Sequence, residues 1–469
     1  MFGPVLHLRG LRAGQLRLRA TAARDASAPA RALSADGEAV PARFLFECDG
    51  LAVDAYDFAL PADGSAAYVF DDETIPVATD FEGDLRIAYV SCNGQEHGDR
   101  KRPLEQRDAL WRRLCREHEA RPFQLLLHGG DQLYADEIVE ARPASRRWLK
   151  HKRRTNEDTE AAAMALEGEL RRALFRRYLE LFDQPDIAWI AARVPSLAMW
   201  DDHDICDGWG SLNAGKLDSP VGRTVFHVAR EQFLLFQMGA VDGDLPDICL
   251  DADGETLSWQ VRLPGLHVVA PDLRSERRPD RVMGEPGWRA LETAGRSVSD
   301  GHVILLSSVP ALGPRLSWLE AVLHLCPGMQ KYEDDLRDQW QSRAHRSEWR
   351  RFLEWMLELH RRAAVTVLSG EIHLATRATM DDGDRPVNQL VASGIAHPPP
   401  PRGWARGLGL LARFGEAPLS AHPIRLRPLP GRRTIYADQR NYLVLERHDG
   451  AWSARWELER EGPTPPLGL

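Results

Sequence analysis

Four short apolar stretches of this chain each run directly into side chains of the types that bind metal ions. The residues at these four ends are Cys92; Asp131 and Tyr134; Asp202 and His203; and Glu371 and His373. Carboxylate, imidazole, thiolate and phenolate groups suit transition metals, and a mixture of hard and soft donors suits a site with two metals. Two metals close together commonly hydrolyse phosphate esters, because they activate a bound water and hold the phosphoryl oxygens. The pattern therefore predicts a metal centre that cleaves a phosphate ester.

Catalytic roles follow for several of these side chains and for one arginine. Asp131 is the natural carboxylate to bridge two metals, and His203 is suited to protonate the leaving group. Asp204 or Asp201 is placed to orient the imidazole, as a carboxylate beside a histidine commonly does. Arg274, which follows another apolar stretch, suits a bidentate contact with substrate phosphate and a structural ion pair equally well.

Each of these residues also has a plainer explanation when it is taken alone. An aspartate after two glycines, as at Asp131, is typical of a turn or a helix cap. Cys92 alone would be a small buried apolar group, and Tyr134 alone a core tyrosine with a satisfied hydroxyl. Four such ends in one chain favour the metal centre, and the three acids around His203 argue against a packing role.

The four ends meet only if the apolar stretches are neighbouring strands. The predicted strands are Ile87–Val90, Leu125–Leu127, Ser196–Trp200, Leu257–Arg262, Leu266–Ala270, Val303–Leu306 and Ala364–Leu368. Helices are predicted over Leu104–Glu117 and near Trp349. The spacing of Thr155 and Asp158 predicts a capping box at the start of a further, long helix. The core-facing stripe of that long helix is Leu166, Leu170, Leu174, Tyr178 and Phe182. Because the carboxyl ends of parallel strands meet along one edge, the four ends are expected on one rim of a sheet.

Two domains are predicted on either side of residue 84. Residues 1–83 show the alternation and turn clusters of short strands, which predict a small N-terminal β-sandwich. Residues 84–469 alternate strands with helices and predict the catalytic α/β domain. That domain ends in a C-terminal β-hairpin, whose turn is the dipeptide Asp449-Gly450.

Composition and charge argue against several other classes of protein. The net charge of −9 provides no global basic field for a nucleic acid, although the basic run over residues 142–154 would suit a nuclease if it flanked the site. No apolar stretch reaches the length of about 18 residues that spans a membrane, and the N-terminus lacks the features of a signal peptide. The six cysteines have no paired spacing, so a reduced cytoplasmic protein is expected.

Taken together, these motifs resemble the PhoD-like alkaline phosphatases of the metallophosphatase superfamily. The matching segments are Ser91-Cys92, Gly130 to Asp136, Trp200 to Asp204 with Asp207 to Gly210, and Ser369 to His373. The resemblance implies a four-layer αββα sandwich behind the N-terminal β-sandwich. It also implies a phosphatase or phosphodiesterase with a dinuclear metal centre and a metal-bound hydroxide. The implied metals are iron with calcium or another divalent ion such as manganese, zinc or magnesium.

The resemblance further implies a role for each matching residue. The implied metal ligands are Cys92, Asp131, Tyr134, Asp202, Glu371 and His373. Cys92 and Tyr134 would bind one metal, Asp202 would bind the other, and Asp131 would bridge the two. His203 matches the histidine that assists at the leaving group.

Two features depart from the family pattern and open a rival expectation. Glu371 stands where the family has aspartate, and the extra methylene moves its carboxylate. The N-terminus has no twin-arginine signal, which makes external phosphate a less suitable substrate. The expected partner is a small phosphorylated substrate, with no membrane, no nucleic acid and no obligate protein partner. The rival to the enzyme is a non-catalytic metallophosphatase-like scaffold, or a protein that binds a phosphorylated ligand.

Overall fold

The fold is mixed α/β, and its strands form two large sheets and one small sheet. The computed structural model describes residues 2–94, 101–151, 153–314 and 339–469. The strands in these residues are β1 (Val5–Arg12), β2 (Gln15–Asp25), β3 (Leu33–Ala35), β4 (Glu38–Ala39), β5 (Arg43–Cys48), β6 (Leu51–Pro61), β7 (Ser65–Phe70), β8 (Glu73–Ala78), β9 (Leu85–Val90), β10 (Leu125–Gly129), β11 (Ser196–Met199), β12 (Trp259–Leu263), β13 (Leu266–Ala270), β14 (His302–Ser307), β15 (Ala364–Ser369), β16 (Thr376–Met380), β17 (Val387–Val391), β18 (Ile424–Arg427), β19 (Asn441–His448), β20 (Ala451–Leu458), β21 (Gly462–Pro463) and β22 (Leu467–Gly468).

Helices connect many of these strands. They are α1 (Leu104–Arg107), α2 (Ala109–Ala120), α3 (Asp136–Glu140), α4 (Pro143–Lys150), α5 (Glu160–Phe182), α6 (Pro185–Ala191), α7 (Ala214–Leu217), α8 (Pro220–Gln237), α9 (Glu285–Ser297), α10 (Arg346–Arg362) and α11 (Arg402–Leu411). Short 3-10 turns occupy Asp202–Asp204, Arg343–His345 and Ala412–Phe414. No helix in the described ranges is both long enough and apolar enough to cross a bilayer.

The main sheet has parallel strands at its centre. Its order is β21-β20-β19-β9-β10-β11-β1-β2-β6-β5, with β22 added beside β20. Strands β9, β10 and β11 are parallel, and every residue of β9 and β10 is buried. Buried and mostly apolar runs of this kind are typical of parallel strands that are covered on both faces. The predicted strands in this part of the chain are confirmed.

The N-terminal residues form the predicted strands but do not keep them in one separate sheet. Strand β1 pairs in parallel with β11, and β2, β6 and β5 continue the main sheet beyond it. Strands β3, β4, β7 and β8 form a four-stranded sheet of their own. The division of the chain at residue 83 stays a prediction.

The C-terminal hairpin is confirmed, and it is part of the main sheet. Strands β19 and β20 pair antiparallel on either side of Asp449-Gly450, where both residues have positive φ angles of 47° and 78°. Strand β19 also pairs antiparallel with β9, the strand that precedes Cys92. The hairpin therefore covers an edge that would otherwise lie next to the candidate site.

The second large sheet separates two hydrophobic clusters. Its order is β12-β13-β14-β15-β17-β16-β18, and β13, β14, β15 and β17 are parallel. Along β14, Ile304 and Leu306 belong to the cluster that the main sheet shares, whereas Val303 and Leu305 belong to the other cluster. Helices α9 and α10 contribute buried side chains to this other cluster. Alternate residues thus bury opposite faces of one sheet.

The long helix forms as predicted, but it begins later than its predicted cap. Every residue of the predicted stripe along α5, from Leu166 to Phe182, is buried. The N-cap is Thr159, whose side chain accepts a hydrogen bond from the backbone N–H of Ala162. The capping box predicted at Thr155 and Asp158 is therefore wrong by one turn, because Thr159 offers the same side-chain oxygen nearer the first periodic residue.

Candidate metal centre

Three of the four predicted strand ends lie side by side at the carboxyl edge of the main sheet. Cys92 follows β9, Asp131 follows β10, and Asp202 follows β11. Cys92 and Asp131 have positive φ angles of 52° and 56°, so the chain turns sharply as each strand ends. Gly130 has a φ of 101°, and a Cβ there would lie 2.7 Å from Cβ of Asp201. Glycine is needed here because the two strand ends approach so closely.

The fourth strand end reaches the site from the other large sheet. His373 follows β15, so the expectation that all four ends share the rim of one sheet is wrong. Ser393, after β17, joins the two sheets: its hydroxyl donates to Cys92 Sγ (3.2 Å) and accepts from the backbone N–H of His373 (2.8 Å). The backbone N–H groups of Gly394 and Ile395 also donate to the carbonyl of Ser91.

The predicted ligands fall into two groups that share one carboxylate. Cys92, Asp131 and His373 form one group, and Asp131, Asp202 and His203 form the other. Within each group the potential ligand atoms lie within 4.8 Å of one another. Tyr134 Oη lies 3.5 Å from Asp131 Oδ2 and 2.8 Å from His373 Nε2. The structure thus brings together six of the residues that were singled out from the sequence.

The electrostatics of these groups fit bound cations. Asp131 is fully buried, and its Oδ1 accepts no hydrogen bond within the described ranges. Burial and the neighbouring Asp201 carboxylate raise the pKa of Asp131 well above its usual range. Burial and Asp131 raise the pKa of the Cys92 thiol, and burial lowers the pKa of His373. Buried anionic donors without a matching cation are costly, and a metal ion supplies that missing charge.

His203 is oriented by a different carboxylate from the two that were predicted. Its Nδ1 donates to Asp136 Oδ2 at 2.7 Å, so Nε2 is the ring nitrogen that remains for the centre. Tyr134 stacks against the imidazole, with ring centroids 4.4 Å apart. Burial would lower the pKa of His203, but the carboxylates of Asp136 and Asp202 raise it well above its usual range. The orienting role expected of Asp204 or Asp201 thus belongs to Asp136.

Asp204 is a structural residue of the turn. Its carboxylate accepts hydrogen bonds from the backbone N–H groups of Asp131 (2.9 Å), Leu133 (3.0 Å) and Asp201 (2.9 Å). Burial raises the pKa of Asp204 to about 7, although these three donors act against that rise. Asp204 therefore holds two strand ends in register and does not contact His203 through any of these bonds.

Arg274 lies beneath the site and is fully buried. Its guanidinium pairs with the carboxylate of Asp201, lies 3.4 Å from Asp202 Oδ1, and donates to the carbonyl of Trp209. A cation enclosed in this way is not presented to substrate phosphate. The structure therefore favours the alternative of a structural ion pair, which positions Asp202.

Glu371 does not join either group of potential ligands. Its Oε2 accepts a hydrogen bond from Gln339 Nε2 at 2.8 Å. Both Glu371 and His373 have positive φ angles, of 65° and 52°, so this strand end is as sharply turned as the others. The ligand role of Glu371 stays a prediction, and the geometry gives it no support.

His397 is a residue of the site that the sequence analysis missed. Its ring stacks on His373, with centroids 3.8 Å apart, and on Tyr134, with centroids 5.1 Å apart. Its backbone N–H donates to the carbonyl of Cys92. The sequence feature that could have identified His397 is a fifth strand end. Strand β17 leads to Ser393 and His397 just as β15 leads to His373.

The basic run, which the nuclease hypothesis would place beside the site, is an exposed segment. It lies on and after helix α4, where Arg146, Arg147 and Lys150 are exposed. Arg153 and Arg154 are exposed as well, and Lys152 lies outside the described residues. This is the solvated helix face that such runs usually form.

Comparison with known proteins now gives the chain a family. The family model described as PhoD related phosphatase matches residues 77–332, more than half of the chain. The chain belongs to this family. Its members are phosphoesterases, so the family sets the class of reaction to be considered for the site.

Two known proteins show how far the similarity extends. A solved structure, that of PhoD, superposes with a TM-score of 0.60 at 12% identity and covers 100% of this chain and 89% of its own. That likeness shows the fold. The uncharacterized protein YGR266W of Saccharomyces cerevisiae is 24% identical over 358 residues, which cover 63% of this chain and 50% of that protein. The chain thus spans about half the length of this curated relative.

Proposed function

We propose that the chain is a metal-dependent phosphoric ester hydrolase with a dinuclear centre. The observation that carries this proposal is the pair of ligand groups that share Asp131. The shared buried carboxylate has a sulfur and an imidazole on one side and a second carboxylate on the other. This is the donor set that two different cations need. Membership of the PhoD related phosphatase family supports the same reaction class.

The protein would hold both metals at the carboxyl edge of the main sheet, and His373 would reach one of them from the second sheet. Cys92, Tyr134 and His373 would hold one ion, Asp202 would hold the other, and Asp131 would bridge them. Metal ions bound here would supply an activated water and offset the charge that grows on the phosphoryl oxygens. The donor set suits iron beside calcium, manganese, zinc or magnesium.

His203 would donate the proton that the leaving oxygen needs. Asp136 accepts from Nδ1 and favours the charged imidazolium, which would leave the proton on Nε2 for the leaving oxygen. The stack with Tyr134 restricts rotation of the ring. The same ring belongs to one of the two potential ligand groups, so a direct role at the metal is the competing assignment.

The wider arrangement is proposed with the function. The two large sheets would form the inner layers of a four-layer αββα sandwich, because alternate residues of β14 belong to two different clusters. The substrate would be a small phosphorylated compound. Monoesters and diesters are both compatible with the residues that surround the centre.

Metal analysis combined with a chromogenic ester assay tests the proposal. Protein purified without added metal should carry two metal ions per chain and should turn over the ester. Asp131→Asn should lose both ions and the activity, whereas Asp183→Asn, a change of the same chemistry at an exposed position after α5, should keep both. Wild-type protein without metal and without turnover would support the non-catalytic scaffold instead.

A further inference from the structure

A cavity of about 420 Å³ lies along the outer edge of β18, away from the metal centre. It is lined by residues 412, 413 and 415–417, which follow helix α11, and by residues 423–427 of the strand. A volume in this range is that of a site for a small ligand. None of the residues proposed to hold metal lines this cavity.

Three of the lining residues are arginines without a carboxylate partner. Arg413, Arg425 and Arg427 are exposed, and no acidic group in the described part of the chain lies within ion-pair distance of them. Strand β18 places Arg425 and Arg427 on its exposed side, whereas Ile424 and Leu426, which alternate with them, are buried. The two guanidinium groups therefore emerge from the same face of the edge strand.

A fourth arginine adds to the unbalanced charge. Arg377 of β16 is the direct antiparallel partner of Arg427. Like charges directly opposite each other on neighbouring strands are destabilising, so this pairing costs stability unless an anion lies nearby. Burial and Arg427 both lower the pKa of Arg377, which is the effect expected of uncompensated neighbouring cations.

Two carboxylates of neighbouring segments already have partners of their own. Glu416 also lines the cavity, but its side chain is buried and lies 3.1 Å from Arg346. Asp382, just after β16, lies 3.5 Å from the imidazole of His422. Neither carboxylate lies within ion-pair distance of Arg413, Arg425 or Arg427.

We propose that this cavity binds an anion that carries two or more phosphate groups. Guanidinium groups recognise phosphate oxygens through paired hydrogen bonds, and several of them around one cavity favour a multivalent phosphate. Two sources offer such phosphates, a soluble compound and lipid headgroups, and Leu410, 60% exposed two residues before the 3-10 turn, would suit the second source. The site is separate from the proposed catalytic function and does not depend on it.

Binding of methylenediphosphonate tests the soluble source. This compound has two phosphonate groups and no P–O–P bond that the enzyme could cleave. Calorimetry with the full chain should show that Arg425→Gln with Arg427→Gln weakens one binding event about tenfold or more, since charge-assisted hydrogen bonds are lost. Arg413→Gln, which changes no strand residue, should weaken the same event about threefold or more.

Matched controls decide whether the effect is specific. Arg12→Gln with Arg17→Gln removes the same charge from exposed strand arginines of the main sheet and should leave binding unchanged. Vesicles that contain phosphatidic acid test the lipid source with the same variants. If the arginine variants weaken binding to vesicles but diphosphonate does not bind, the phosphates come from lipid. Equal binding by wild type, Arg413→Gln and the double variant in both assays would overturn the proposal.

Discussion

The hydrogen bond between Asp136 and His203 leads to a sharp prediction about turnover. Asp136 uses both of its oxygens: Oδ2 accepts from His203 Nδ1 at 2.7 Å, and Oδ1 accepts from the backbone N–H of Asp207 at 2.6 Å. Asp136→Asn keeps the size of the side chain but has one oxygen only. If that oxygen stays with Asp207, the amide NH₂ faces Nδ1 and the bond to the imidazole is lost.

The expected loss follows from the strength of that bond. A hydrogen bond to a charged group contributes about 1.5–3 kcal/mol. If this energy positions His203 in the transition state, kcat should fall about 10- to 160-fold, since about 1.36 kcal/mol corresponds to a tenfold change. The assay is steady-state turnover of a chromogenic phosphate ester, with metal content measured on the same samples and expected to be unchanged.

Asp204→Asn is the matched comparison, because Asp204 lies one residue after His203 but its carboxylate binds backbone N–H groups. Its carboxylate accepts from three backbone N–H groups, so the variant should lose folding stability, by about 1–3 kcal/mol. A kcat for Asp136→Asn within twofold of wild type would refute the orienting role. So would a selective loss of kcat in Asp204→Asn with its stability intact.

Three further predictions concern proton donation, the turn and acid stability. His203→Ala should lower turnover by about 10² or more with both metals retained, the size typical of general acid catalysis; loss of metal in this variant would make the imidazole a ligand instead. Gly130→Ala should lower the urea midpoint, because a φ of 101° and a contact of 2.7 Å with Asp201 cost about 1–3 kcal/mol; an unchanged midpoint would contradict the turn geometry. Burial lowers the pKa of His302 to about 4, while its hydrogen-bonded neighbour Thr366 carries no charge. The imidazole of the unfolded chain therefore binds a proton near pH 6.5, whereas that of the folded chain binds it only near pH 4. The free energy of unfolding should fall by about 2 kcal/mol between pH 7 and pH 5. Urea unfolding of His302→Gln should show a correspondingly smaller loss of stability over that interval. Equal losses of stability in wild type and variant would refute the role of His302.

The strands that carry the site could be predicted because their composition is simple. Strands β9, β10 and β15 are short, mostly apolar runs that end in or lead directly into glycine or serine, so each end could be located from periodicity alone. The residues that follow them, Cys92 and Asp131 among them, were recognisable as metal-binding types. The meeting of Cys92 and Asp131 needed only the geometry of neighbouring parallel strands.

The assignment of strands to sheets could not be predicted in the same way. Strands β10 and β15 look alike in sequence, yet they belong to different sheets, because partners are chosen by burial of whole faces across the molecule. The pairing of β1 with β11 joins residues almost 190 positions apart, as in His7 and Ser196. Strand β17 contains Asn388 and Gln389, which hid its apolar pattern and with it the position of His397.

The hydrogen-bond and ion-pair partners of individual side chains could not be predicted from the sequence either. Three acids lie close to His203 in the fold: Asp136, Asp201 and Asp204. Only the hydrogen-bond distances in the structure distinguish the one that orients the imidazole ring from the other two. Arg274 had two equally good explanations, and its burial beside Asp201 favours the structural ion pair. Local spacing identifies residue types, whereas roles depend on which groups tertiary packing encloses.

Anomalous scattering from crystals of protein purified without added metal tests the central claim most directly. Data collected on both sides of the absorption edges report the number, the identity and the positions of bound metals. The account predicts two peaks that share Asp131, one beside Cys92 and His373 and the other beside Asp202. No peak at these residues, or a single peak that Asp131 does not touch, would contradict it.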